Sequence, residues 1–172
     1  MSIHAVIPDV QFKPGNDTRF LERIGMYLVE KKPDVIVQIG DFADMPSLSS
    51  YDVGKKSFEG RRYNLDIEAA KQGMTALLSP IWEFNAKARQ DKKKLYTPRL
   101  VLCLGNHENR IERVVENDPR LEGTISLADL GYEEFGWQVV PFLECILIDN
   151  IAYSLLCYWC YGPACYICES FD

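Results

Sequence analysis

Three short polar motifs stand out in the chain: Asp9-Val10-Gln11, Gly40-Asp41 and Gly105-Asn106-His107-Glu108. Taken singly, each is weak. An aspartate after a strand can cap the next loop, and Gly-Asp is a common turn. Taken in order, each directly after a short apolar run, they describe one site. Two divalent cations about 3.5–4 Å apart can bind a phosphoryl group and activate a water between them. Such a centre needs anionic oxygens and one carboxylate that bridges both metals. Asp41 is placed for that bridge. Asp9 and Gln11, two apart on a strand-to-loop turn, can reach the first metal. The side-chain oxygen of Asn106 can take the second. His107 then lies beside the cluster, where it can contact a substrate phosphate or protonate the leaving oxygen. Two readings of Glu108 stay open: a partner that orients His107, or a carboxylate in the first turn of a helix. Gly40 and Gly105 let the backbone approach the metals closely.

The elements that position these motifs can be read from periodicity. Residues 3–8 and 35–39 are short apolar runs that read as buried strands, and 99–104 is a third. Between the first two, Asn16, Asp17 and Thr18 can cap a helix reaching Lys32, with Phe20, Leu21, Ile24, Tyr27 and Leu28 on one face. Residues 42–63 read as a long polar loop. A long helix then covers about 65–92, with Pro80 expected to kink it. A helix over 110–116 follows the third motif, and Ser126 is placed to cap a shorter one. Residues 137–141, 143–148 and 151–156 read as strands, the last two joined by a hairpin turn at Asp149-Asn150. Strands alternating with helices predict an α/β unit with parallel strands. All three motifs then sit at C-terminal strand ends, the edge where open α/β sheets place ligand sites.

The succession of motifs resembles the calcineurin-like metallophosphoesterase family. That family's signature runs Asp-x-His, Gly-Asp, Gly-Asn-His-Asp/Glu, a lone His, then Gly-His-x-His. Asp9, Asp41, Asn106 and His107 match its first three blocks as they stand. The wording IPDVQ, VIVQIGDFAD and GNHENRIERV looks most like phosphoesterases encoded by bacteriophages. The resemblance implies a β-sandwich flanked by helices, here incomplete at its C-terminus. It implies Asp9, Gln11, Asp41 and Asn106 as metal ligands, and His107 and Asp41 as the catalytic pair. Asn106, His107 and Arg110 would contact substrate. The implied cofactor is a pair of divalent metal ions, Mn²⁺ first given oxygen-rich ligands, with Mg²⁺, Fe or Zn²⁺ as alternatives. The implied activity is hydrolysis of a phosphate ester by a phosphatase or a DNA nuclease.

Two departures bear on that reading. Gln11 stands where the family usually has a metal-binding histidine, and a glutamine carbonyl is a weaker donor for transition metals than imidazole. The chain also has only two histidines, His4 and His107. His4, early in the first strand, reads as structural. The lone His and the Gly-His-x-His block are missing, and Leu155 stands near where the lone His is expected. A second reading therefore stands beside the enzyme: an inactive remnant or binding module of the same fold.

Composition sets the outer bounds. In 172 residues, 47% are apolar and 26% charged, the balance of a globular domain with a real core. A net charge of −6 gives no general basic field for coating nucleic acid, though a local patch for DNA is compatible with it. No secretory signal or membrane-spanning run is read, so a cytoplasmic protein is expected, in the host cytoplasm if phage-encoded. Cys103 and Cys145 read as buried thiols. Residues 1–154 are read as the domain and 155–172 as an atypical Cys/aromatic-rich tail. There Cys157, Cys160, Cys165 and Cys168 form two CxxC pairs only four residues apart, awkwardly close for a zinc site. A shifted reading frame would explain the tail and the missing histidines together. Lys55, Lys56, Arg61 and Arg62 read as a solvated loop, with steering of a phosphate backbone as the alternative.

Overall fold

The computed structural model describes residues 2–155. The readings placed on the Cys-rich tail lie outside the described residues. Four parallel strands form one sheet: β1 (His4–Ile7), β2 (Val35–Gln38), β3 (Arg99–Cys103) and β4 (Gln138–Val140), in the spatial order β1-β2-β3-β4. The mixed α/β architecture and the parallel pairing follow the sequence pattern. Both faces of the central strands are covered, so every residue of β2 is buried, its three apolar residues and Gln38 alike.

Helices cover one face. α1 (Arg19–Lys31) and α2 (Tyr63–Gln90) pack on Ile7, Ile36, Leu102 and Leu104. The predicted apolar stripe of α1 is only partly right. Leu21 and Leu28 are buried with Gly25 between them, whereas Phe20 and Tyr27 are largely exposed. Gly25 marks the crossing with α2. A Cβ there would lie 2.3 Å from the Leu77 carbonyl oxygen and 2.8 Å from Pro80 Cγ. Pro80 lies inside α2 and has no N–H to give Ala76, four residues back. The Ser79 hydroxyl donates to that Ala76 carbonyl instead, at 3.2 Å. On α2, Trp82 is largely exposed and stacks on Phe135, and Asn85 exchanges two hydrogen bonds with the Tyr96 backbone.

The other face carries a hairpin of β5 (Ile146–Ile148) and β6 (Ile151–Tyr153). Its turn residues Asp149 and Asn150 both have positive φ, as the expected two-residue turn requires. Ile148 and Tyr153 pack with Val35, Val37, Val101, Cys103 and Val140. His4 is structural, as expected. Its Nδ1 lies 2.7 Å from the Tyr153 hydroxyl and its Nε2 3.1 Å from Asp149, joining β1 to the hairpin. Cys103 is buried and its thiol is pushed up to about 11 by burial. Cys145 is only half-buried. Among the described residues, no helix is long and apolar enough to cross a membrane.

The α1–α2 crossing is a sharp test of this packing. Gly25→Ala should destabilise the fold by about 2 kcal/mol, because overpacking outweighs the roughly 1 kcal/mol gain in helix propensity. Denaturant unfolding with an unchanged m-value would show it.

Candidate active site

The three motifs meet at the C-terminal edge of the sheet because the loops that carry them are laced together. After β1, the N–H groups of Val10 and Gln11 donate to the Asp41 carbonyl at 3.1 and 2.8 Å. Phe12 and Phe42 continue the pairing, and Asp44 N–H returns to the Phe12 carbonyl. The start of the expected polar loop is in fact core: Phe42, Ala43 and Met45 are fully buried. Gly40 (φ +122°) and Asp41 (φ +52°) both hold left-handed backbone. A Cβ on Gly105 would lie 2.4 Å from the Asp41 nitrogen, so only glycine lets the loops after β2 and β3 touch.

Glu108 holds this junction, and neither reading of it from the sequence is correct. It does not touch His107. Its fully buried carboxylate accepts from Asp41 N–H (3.2 Å) and Gly105 N–H (3.0 Å) on one oxygen. On the other it accepts from Ala43 N–H (2.9 Å) and the Tyr132 hydroxyl (3.2 Å). Burial raises the carboxyl above the ordinary range, and the backbone donors work against that. Burial also drives the Tyr132 hydroxyl well up, with the Glu108 charge adding to it, so tyrosine stays a donor.

His107 is fixed at three points. Its backbone N–H donates to Asp41 Oδ1 at 2.8 Å. Its Nδ1 lies 2.8 Å from Asp44 Oδ1 and 3.0 Å from the Asp44 carbonyl. Its Nε2 lies 3.2 Å from an Arg110 guanidinium nitrogen. Arg110, at the start of α3 (Arg110–Asn117), also donates to the Asp44 and Met45 carbonyls at 2.7 and 3.3 Å. The Asp44 hydrogen bond raises the imidazole above its usual value, against burial and the Arg110 charge. Asp44 in turn is held down at about 2. Burial would raise it, but hydrogen bonds from His107 and from Lys13 Nζ (2.9 Å) outweigh that.

Asp44 is the site residue that sequence reasoning missed. Its signal was present as a second aspartate three residues after Gly40-Asp41, inside what read as a loop. Of the expected site residues, Asp41, His107 and Arg110 come together directly. Asp41 is raised by burial, against the His107 N–H bond, and the Asp9 charge adds to the rise. The Gln11 backbone is tied to Asp41 while its side chain is exposed. Asn106 is exposed between Gly105 and His107 at the same edge. Leu155 packs against Gly40, with its Cβ 2.7 Å from where a Gly40 Cβ would stand, and offers no ligand atom.

The donor set of Asp9, Asp41, Gln11 and Asn106 is all oxygen, which suits a hard divalent cation. Among the described residues there is no group of three or more His, Cys, Asp or Glu side chains that could hold a metal. The described residues thus supply two carboxylates and two amides near this edge, short of the ligand set that a two-metal centre needs. In the loop before α2, Lys55 pairs with Asp52, while Arg61 bonds Asp52 (2.8 Å) and the Pro46 and Ser57 carbonyls (3.0 Å each). Arg61 is thus a staple of this loop, not a solvated charge.

Two outcomes follow. Glu108→Gln places an NH₂ against two N–H or O–H donors and should cost about 2–4 kcal/mol, measured by chemical unfolding. Asp44, at about 2 when folded, lies below its unfolded value of about 4, so its ionised form stabilises the fold above that pH. That contribution, about 2 kcal/mol, should fade as pH falls from roughly 4 to 2, and Asp44→Asn should flatten the acid limb of a stability–pH curve.

No family model and no solved structure matches the chain. It is similar to "Gene 54 protein" of Mycobacterium phage L5, 28% identical over 141 residues, or 79% of this chain. The chain spans about half of that protein, 49% of its length.

Proposed function

We propose that the chain is a metal-dependent phosphoesterase domain of the calcineurin-like metallophosphoesterase type. The observation that carries this is the His107 arrangement: its backbone N–H on Asp41, its imidazole on Asp44 and beside Arg110, at the sheet edge where the three motifs meet. Similarity to a phage protein agrees with the phage-like wording of the motifs.

Asp9, Asp41, Gln11 and Asn106 would hold the cations, which supply charge for the phosphoryl oxygens and an activated water. The raised Asp41 carboxyl is a group that a bound cation would restore to its ionised form. Asp44 fixes the His107 ring, and Nε2 lies against the Arg110 guanidinium. A phosphate oxygen that draws Arg110 to itself would free Nε2, where protonated His107 gives its proton to the leaving oxygen. Arg110 supplies a planar fork for a non-bridging phosphate oxygen. An inactive remnant of the same fold is the second reading. It is favoured by Leu155 packed on Gly40 and by the short ligand set.

Hydrolysis of bis-p-nitrophenyl phosphate with added Mn²⁺ separates the two. The enzyme reading expects turnover abolished by chelation, reduced a hundredfold or more by Asp41→Ala, and reduced about 10²–10⁴-fold by His107→Ala. Equal rates for the native chain and Asp41→Ala would leave the inactive remnant.

A further inference from the structure

If the chain is a phosphoesterase as proposed above, the leaving group must depart on the side of His107. During hydrolysis a water oxygen forms a bond to phosphorus and the bond from phosphorus to the leaving oxygen breaks. The leaving oxygen takes its proton from His107, and the proton released by the water restores the imidazolium. What the protein offers beside His107 therefore selects the leaving group.

A groove of about 410 Å³ opens there. Asp44 and Arg110, both bonded to His107, line it together with Arg61 and Arg62, where α2 begins. That volume falls in the range of small-molecule pockets, roughly 300–1,000 Å³. Its charges are nearly all committed. Asp44 is held by Lys13 and His107, and Asp52 by Lys55 and Arg61. Asp66 is buried and accepts the Ser47 N–H at 2.8 Å. Glu59 is exposed at the rim. Arg62 differs from Arg61. Among the described residues it bonds only the Arg61 carbonyl, at 2.8 Å, and no carboxylate pairs with it. Its backbone is fixed as the residue that opens α2. Arg110 and Arg62 thus line the groove as two guanidiniums with donors to spare, and guanidinium forks match phosphate oxygens.

We propose that this groove is a leaving-group subsite for a nucleotide, so that the substrate is a nucleic-acid-type phosphodiester. Arg110 faces the scissile phosphate, and Arg62 takes the next phosphate along the strand. A simple phosphomonoester would leave the Arg62 end of the groove without a function.

Binding without catalysis tests this separately from the phosphoesterase reading. A fluorescent single-stranded oligothymidylate of about six nucleotides is titrated onto the full chain in EDTA. The expected result is salt-dependent binding that Arg62→Ala weakens about tenfold at low salt, with the log–log salt slope reduced by about one. Arg62→Lys should recover part of the affinity, and Lys93→Ala, beyond the C-terminal end of α2, should match the native chain. Far-ultraviolet circular dichroism of each variant reports that α2 is intact. No binding at millimolar oligonucleotide, or equal binding by the native chain and a folded Arg62→Ala, overturns the subsite. Either result leaves the Mn²⁺-dependent hydrolysis to be judged on its own.

Discussion

Glu108 gathers three separate stretches of chain onto one carboxylate: the loop after β2, the loop after β3, and Tyr132 before β4. Burying a carboxylate away from water costs several kcal/mol, and only a full complement of donors offsets that. Here both oxygens accept two hydrogen bonds each. The geometry of everything around it follows from this grip. With the Asp41 and Ala43 N–H groups held, the loop must turn through the left-handed backbone of Gly40 and Asp41. That turn sends the Asp41 carbonyl to the β1 loop and its carboxylate to the His107 N–H.

The polar site is therefore supported from below by a buried anion and screened on top by cations. Asp44 sits between the two levels. Its backbone pairs with Phe12 in the core, and its carboxylate binds His107 and Lys13 at the surface. A side chain with a low pKa placed on a histidine with a raised one is a charge-assisted pair that resists rotation of the ring. Arg110 completes it by bonding carbonyls of the same loop, so the guanidinium is held in place.

Much of this was legible in the chain. The strands, the two long helices, the hairpin turn and the three motif positions follow from local patterns whose period is fixed by backbone geometry. His4 as a structural histidine was also legible, because it lies inside a strand. Other features were not. Phe42, Ala43 and Met45 read as loop since they lack any period, yet they are buried because Glu108 and the β1 loop pull that segment inward. Phe20 and Tyr27 read as core from helical spacing, but the close α1–α2 approach at Gly25 rotates burial onto Leu21 and Leu28.

The sequence by itself determined the parallel α/β order, the strand ends that carry Asp9, Asp41 and His107, and the mismatch at Gln11. These depend on residue type and near neighbours alone. Only the tertiary structure decided what Glu108 and Asp44 do and that Leu155 lies against Gly40. It also decided that Arg61 is committed while Arg62 keeps donors to spare. The reason is physical: a polar side chain's role is set by which donors and charges surround it after folding, and the partners of Glu108 and Asp44 come from up to 67 residues away in the chain.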